Sequence, residues 1–127
     1  MKDSLNVAVA GATGYVGLEL IKILSKHSKV KIKYLCANKS IGKKIYNFDK
    51  KISKKNLPII SNIKNIKWKN INILFTALPN GQAQKIAKKL PDNVKLIDLS
   101  GDFRLSDSKS YKKWYGLNHK CKKYIYT

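Results

Sequence analysis

Cysteine is scarce in this sequence, with only Cys36 and Cys121 among 127 residues. Two thiols do not make up the dense framework of bridges that holds small secreted domains together. Neither cysteine stands in a Cys-x-x-Cys pair or beside a histidine cluster, so we expect no metal site. The cysteine content favours a cytoplasmic setting.

Long apolar runs are also missing. No run approaches the roughly 20 residues that a membrane-spanning helix needs, and the amino end lacks the hydrophobic region of a secretory signal. We therefore expect no membrane partner. The length and the 43% hydrophobic content are typical of one globular domain with a sizeable core.

Acidic residues and arginine are few, and lysine is abundant. Asp and Glu number 7 against 27 Lys and Arg, which gives a formal net charge of +20, and Arg104 is the only arginine. Surfaces that read bases or clamp phosphates usually use arginine forks. The lysines here are scattered along every segment, so we interpret them as a solvated surface and predict no specific nucleic-acid partner.

Three glycines carry the most informative pattern. Gly11, Gly14 and Gly17 follow an apolar run over residues 5–10 and lead into a helical pattern. In a dinucleotide-binding loop the first glycine permits the turn, the second lets a pyrophosphate approach the backbone, and the third allows close helix packing. The first N–H groups of the helix then face the phosphates. The plain alternative is a tight strand–helix turn without a ligand.

The next segments predict a strand–helix–strand unit. A helix is expected from about Tyr15 to His27, and residues 30–36 alternate apolar and basic side chains, as in a strand with one exposed face. Such a unit is parallel and right-handed, so we predict an α/β fold with a doubly wound parallel sheet of the Rossmann type. The predicted inner face of the helix comprises Val16, Leu20, Ile23, Leu24 and His27.

The end of the second strand bears on cofactor choice. NAD-binding domains commonly place an acid there to hold the ribose hydroxyls. Ala37 to Ser40 contains none, and Asn38, Lys39 and Ser40 offer donors and a positive charge for a 2′-phosphate. This favours NADP (NADPH) as cofactor, and a plain polar loop is the alternative.

The second half of the chain shows two more strands. The signal is poor from Ile45 to Lys69, where Pro58 argues against a central strand. Ile71–Ala77 and Val94–Leu99 are apolar strands, and the first ends in a turn over residues 78–81 at the sheet edge where ligands bind. A short helix lies between them, with Ala83, Ile86, Ala87 and Leu90 on one face.

Four segments together resemble one family. They are the glycine loop at 11–17, Phe-Thr-Ala-Leu-Pro-Asn-Gly at 75–81, Ile-Asp-Leu-Ser-Gly-Asp-Phe-Arg-Leu at 97–105 and Tyr-Lys-Lys-Trp-Tyr-Gly at 111–116. In this order and spacing they resemble N-acetyl-gamma-glutamyl-phosphate reductase. The resemblance implies an NADP-dependent reductase of arginine biosynthesis, which converts a small-molecule acyl phosphate into N-acetylglutamate semialdehyde and releases phosphate.

The resemblance also implies a longer enzyme. The family uses a cysteine nucleophile and a histidine acid/base, and Cys36, Cys121 and His119 do not match those motifs. Residues 1–127 are therefore expected to be the amino-terminal dinucleotide-binding domain, with no catalytic residue in this chain and the catalytic domain missing from it. The chain alone is expected to be inactive, and the full-length enzyme to be a homo-oligomer.

The resemblance assigns candidate site residues as well. Arg104 is expected to face the substrate phosphate, and a structural ion pair with Asp102 or Asp107 stays open. Asn38 departs from the arginine expected there in many members. The expected cofactor-binding residues are Gly11, Thr13, Gly14, Tyr15, Val16, Asn38, Lys39, Ser40, Leu78 and Pro79.

Two other functions remain open from the sequence. One is a stand-alone NADP-binding or sensing module. The other is the cofactor domain of aspartate-semialdehyde dehydrogenase, which has a similar glycine loop but is not expected to carry the segments at 102–105 and 114–116.

Overall fold

The described residues form a five-stranded parallel sheet with the strand order β3-β2-β1-β4-β5. The computed structural model describes residues 4–52, 57–79 and 81–99. The strands are β1 (Leu5–Ala10), β2 (Val30–Cys36), β3 (Ile60–Ser61), β4 (Ile73–Thr76) and β5 (Lys95–Asp98).

In the described parts of the connections there are two helices and three single turns of 3-10 helix. Helix α1 (Tyr15–Ser25) joins β1 to β2, and helix α2 (Gln82–Ala87) joins β4 to β5. No helix in the described ranges is long and apolar enough to cross a membrane. The 3-10 turns span Ile45–Asn47, Ile63–Asn65 and Trp68–Asn70.

The strand order confirms the predicted doubly wound α/β architecture. From β1 the chain moves outward to β2 and β3, then crosses to β4 and moves outward to β5. The order therefore reverses between β1 and β4, which creates a crevice at their carboxyl ends.

Strand β1 is the centre of two apolar layers, one on each face of the sheet. Val7 and Val9 join the layer that contains α1, and Ala8 and Ala10 join the layer that contains α2. All four are essentially inaccessible to solvent. A parallel strand covered on both faces has a continuous apolar sequence because neither set of alternate side chains reaches water.

The predicted inner face of α1 is correct at Leu20 and Leu24, which pack in the α1 layer, and wrong at Val16 and Ile23. The buried residues are Gly17, Ile21 and Leu24, whereas Val16 is 46% exposed and Ile23 is 66% exposed. The physical reason is Gly17: a Cβ at this position would overlap the Gly11 carbonyl oxygen. The backbone contact therefore orients the helix, and the apolar side chains follow.

The end of α1 also differs from the prediction. The helix stops at Ser25, two residues before His27. The backbone N–H of His27 still donates to the Leu24 carbonyl at 3.0 Å, and its Nδ1 accepts from the Lys29 N–H at 3.0 Å. His27 thus belongs to the turn that leads into β2.

The weak sequence signal between β2 and β4 covers a short edge strand. Two residues of β3 pair with the end of β2, close after Pro58, in agreement with the expectation that proline excludes a central strand. The long connection before β3 contributes Ile45 and Ile52 to the α1 layer. An ion pair of 2.9 Å between Lys22 Nζ and Asp49 Oδ2 joins this connection to α1.

The contact between Gly17 and Gly11 predicts a contrast between two glycines of one loop. Gly17→Ala should lower the free energy of unfolding by about 1–3 kcal/mol, because overpacking outweighs the better helix propensity of alanine. Gly14→Ala should change it by less than about 0.5 kcal/mol, since a Cβ at Gly14 would meet nothing closer than 3.6 Å. Urea denaturation of both variants measures this, and equal losses would contradict the assigned contact.

Candidate dinucleotide site

Three loops meet at the carboxyl edge of the sheet. They follow β1, β2 and β4, which are adjacent in the order β2-β1-β4. Each loop carries part of the candidate set from the sequence: Gly11 to Val16 in the first, Asn38 to Ser40 in the second, and Leu78 with Pro79 in the third. The topology therefore places residues that are up to 68 positions apart at one edge.

The first loop turns sharply and exposes the start of α1. Gly11 has a φ of +84°, and a Cβ there would overlap the Ala77 carbonyl oxygen of the neighbouring loop, so only glycine fits. The N–H groups of Gly11 and Ala12 both donate to the Cys36 carbonyl, at 2.9 and 3.0 Å. These two hydrogen bonds fix the first loop to the end of β2.

The amino end of α1 has the electrostatic character of an anion site. Gly14 occupies the N-cap with φ −77° and ψ 167°; across the described residues, no side chain caps this end by a hydrogen bond. The first turn has no acidic residue. Its N–H groups and the helix dipole therefore favour a negative charge at this point. Gly14 is exposed, and a Cβ there would have only the Gly11 oxygen nearby, which leaves an open approach to the backbone.

The second loop departs from ordinary backbone geometry at Ser40. This residue has a φ of +68°, and it is the one non-glycine residue with a positive φ in the described ranges. The Lys43 N–H donates to the Ser40 carbonyl at 3.1 Å, which closes the turn. Asn38 and Lys39 are exposed immediately after β2, so their side chains are available to a ligand at the end of that strand.

A cavity of about 370 Å³ opens between the ends of β1 and β2 and helix α2. Apolar and aliphatic side chains dominate its wall, and Asn38, Gln82 and Lys85 supply the polar groups. This mixture is typical of a site for a small organic ligand. The lining residues are Ala10, Gly11, Cys36, Ala37, Asn38, Ile63, Leu78, Gln82, Lys85 and Ile86.

The wall of the cavity includes some of the sequence candidates and excludes others. Gly11, Asn38 and Leu78 line it. The other candidates in the three loops are not among its lining residues, and Arg104 lies outside the described residues. Sequence reasoning missed Gln82, Lys85 and Ile63. The first two share one helical face with Ile86, at a spacing that could have revealed them, whereas Ile63 depends on the tertiary path of an irregular segment.

Cys36 lines the cavity but is a poor nucleophile. It is 2% exposed, and burial raises the pKa of its thiol to about 11. A weak contact with the hydroxyl of Ser61, at 3.9 Å, acts in the opposite direction on this pKa and is the smaller effect. Because the thiolate is the reactive form, Cys36 is suited to packing the wall.

A second buried contact holds the carboxyl ends of β4 and β5 together. Thr76 is inaccessible to solvent and donates its hydroxyl to Asp98 Oδ1 at 2.7 Å. The Leu99 N–H donates to the Thr76 carbonyl, also at 2.7 Å. Asp98 therefore acts structurally at this strand end.

The fold and the site define a class of protein. A parallel sheet in this order, a glycine loop at the switch point and an uncapped helix behind it are the features of a Rossmann-type dinucleotide-binding domain. The sequence model of the family described as "Semialdehyde dehydrogenase, NAD binding domain" matches residues 6–124. The chain belongs to this family.

Relatives agree with this assignment. N-acetyl-gamma-glutamyl-phosphate reductase from Ehrlichia ruminantium (strain Gardel) is 46% identical over 123 residues, which cover 95% of this chain and 35% of that protein. The enzyme of the same name from Paracoccus denitrificans is 40% identical over 116 residues, or 91% of this chain and 34% of that protein. The resemblance seen in the sequence is confirmed. The chain spans about a third of the length of these relatives.

A solved structure shares the fold. Aspartate-semialdehyde dehydrogenase from Candida albicans, determined with NADP, superimposes with a TM-score of 0.63 at 24% identity. The match covers 81% of this chain and 31% of that chain. At this identity the likeness shows the fold, and it confirms the predicted Rossmann-type architecture.

The buried thiol predicts low reactivity. A Cys121→Ser variant leaves Cys36 as the only cysteine. At pH 8, Cys36 should react with a chromogenic thiol reagent at least about a hundredfold more slowly in the folded protein than in urea. The reason is that raising the pKa from 9.0 to about 11 lowers the thiolate fraction by about that factor. Equal rates in both states would contradict the assigned environment.

Proposed function

We propose that this chain is the NADP-binding domain of an N-acetyl-gamma-glutamyl-phosphate reductase. The observation that carries the cofactor part is the uncapped amino end of α1 behind Gly14, next to a cavity at the reversal of strand order. The reductases that are 40–46% identical to the chain support the enzyme part.

The cofactor would lie across the edge of the sheet. Its pyrophosphate would approach Gly11, Thr13 and Gly14, where the backbone is open and the helix dipole favours anions. Tyr15 and Val16, both exposed at the start of α1, would border the phosphates with their backbone N–H groups. The loop fits a pyrophosphate because Gly14 has no side chain and the space around its Cα is open.

The two halves of the cofactor would contact different loops. Its adenosine half would occupy the cavity beside Asn38, with Lys39 and Ser40 near the ribose. The nicotinamide half would extend past Leu78 and Pro79, the loop after β4. When bound, the nicotinamide supplies a hydride, and the chain's own residues bind and orient it.

Preference for NADP is part of the proposal. The loop after β2 lacks an acidic residue from Ala37 to Ser40, and an acid there would repel a 2′-phosphate. The exposed Lys39 lies in the same loop, so its charge is available to such a phosphate.

The proposed reaction is the reduction of a small-molecule acyl phosphate to N-acetylglutamate semialdehyde. Cys36 is not its nucleophile, since its thiol is buried and its pKa is raised. We propose that the reaction needs residues beyond this domain, and that Arg104 faces the substrate phosphate. A cytoplasmic, homo-oligomeric enzyme is the setting that the family resemblance favours.

The glycine loop offers a direct test of the cofactor site. Gly14→Val should weaken NADPH binding at least about tenfold, because its branched side chain would occupy the path of the pyrophosphate. The fold should persist, since the backbone of Gly14 is extended and its surroundings are open. Fluorescence titration measures affinity, and circular dichroism checks the fold. Unchanged affinity in a folded variant would mean that the phosphates bind elsewhere.

A domain exchange tests the enzyme part. Replacing the matching segment of the Ehrlichia ruminantium reductase with this chain should retain NADPH-dependent reduction of N-acetyl-gamma-glutamyl phosphate, because the domains are 46% identical. The same exchange into the Candida albicans dehydrogenase, at 24% identity, is the control and should lose activity. Activity in the dehydrogenase host alone would overturn the assignment.

A further inference from the structure

Helix α2 presents one cationic side chain to the cofactor cavity. Gln82, Lys85 and Ile86 have the spacing i, i+3, i+4 of a single helical face, and all three line the cavity. Among the described residues, Lys85 is the only charged one that lines it. Lys85 and Lys88, one turn further along, are both exposed, and Lys88 does not line the cavity.

The ammonium group of Lys85 has no carboxylate partner in the parts of the chain that the structure describes. Lys22 provides the contrast, because it pairs with Glu19 and Asp49 at 3.0 and 2.9 Å. A cation that lines an apolar cleft without a counter-ion is suited to an anionic group of a ligand.

The geometry of the cavity identifies which anion this is. Asn38, at the end of β2, lines the same cavity as Lys85, and a Rossmann fold holds the adenosine ribose at that strand end. Ile63 and Ile86 provide apolar surface for a base. A ribose held at the end of β2 would therefore have its 2′ position in a cavity that Lys85 also lines.

We propose that Lys85 binds the 2′-phosphate of NADP and is a specificity-determining residue of the cofactor site. This inference rests on the proposed cofactor function and deepens it. Lys85 approaches the phosphate from α2, and Lys39 approaches it from the loop after β2. The two lysines together replace the acidic residue with which NAD-binding domains hold the ribose hydroxyls.

The test uses two probes that differ by one phosphate, 2′,5′-ADP and 5′-AMP. In the 127-residue chain at fixed ionic strength, calorimetry should show tighter binding of 2′,5′-ADP. Lys85→Gln should weaken 2′,5′-ADP binding by about tenfold, through loss of a charge-assisted contact, and leave 5′-AMP binding within about twofold. Lys88→Gln is the matched control, since it removes the same charge from the same helix and should leave both affinities unchanged.

The outcomes separate this inference from the function on which it rests. Equal losses of 2′,5′-ADP affinity in Lys85→Gln and Lys88→Gln would overturn the role of Lys85 and assign the effect to general charge. Equal weakening of both probes in Lys85→Gln would also overturn it, because the lysine would then not sense the 2′-phosphate. If neither probe nor NADPH binds the unmutated chain, the proposed cofactor function itself fails.

Discussion

Gly11 makes close backbone contacts with Gly17 in α1 and with Ala77 after β4, and the rest of the structure depends on these contacts. The carbonyl oxygen of Gly11 lies where a side chain at Gly17 would have to be, and the missing Cβ of Gly11 leaves space for the Ala77 carbonyl. One residue therefore brings the start of α1 and the end of β4 against the end of β1. A larger residue at Gly11 or Gly17 would push these elements apart and separate the parts of the proposed site.

This close approach has two consequences for function. It turns α1 so that its uncapped amino end projects over the carboxyl edge of the sheet, and it brings the loop after β4 beside the loop after β1. The small side chain of Ala10, on the α2 face of β1, lines the cavity at the same edge. Cofactor binding and close packing thus both require residues with small side chains in one short segment of the sequence.

Much of the fold is predictable because its signals are local. The glycine spacing, the alternation in β2 and the apolar runs of β1, β4 and β5 each depend on neighbouring residues. On the inner face of α1, Leu20 and Leu24 were predicted correctly, and Val16 and Ile23 were not. Both of these are apolar, and hydrophobic spacing does not reveal a backbone–backbone contact such as that between Gly17 and Gly11. Strand β3 is two residues long and has no periodicity of its own. The three loops of the candidate site could be predicted from the topology. The places of Lys85 and Ile63 in the cavity wall could not, because they depend on how α2 and an irregular turn pack.

The central claim is that one dinucleotide spans the three loops at the carboxyl edge of the sheet, and amide chemical-shift mapping with NADPH tests it most directly. In a ¹⁵N-labelled chain at moderate salt, the account predicts saturable shifts at residues 11–17, 38–40, Leu78 and 82–86. Shifts confined to lysines elsewhere, such as Lys29 and Lys31 at the amino end of β2, that disappear as salt is raised would contradict the account, because they would show only general attraction of a polyphosphate to a basic protein.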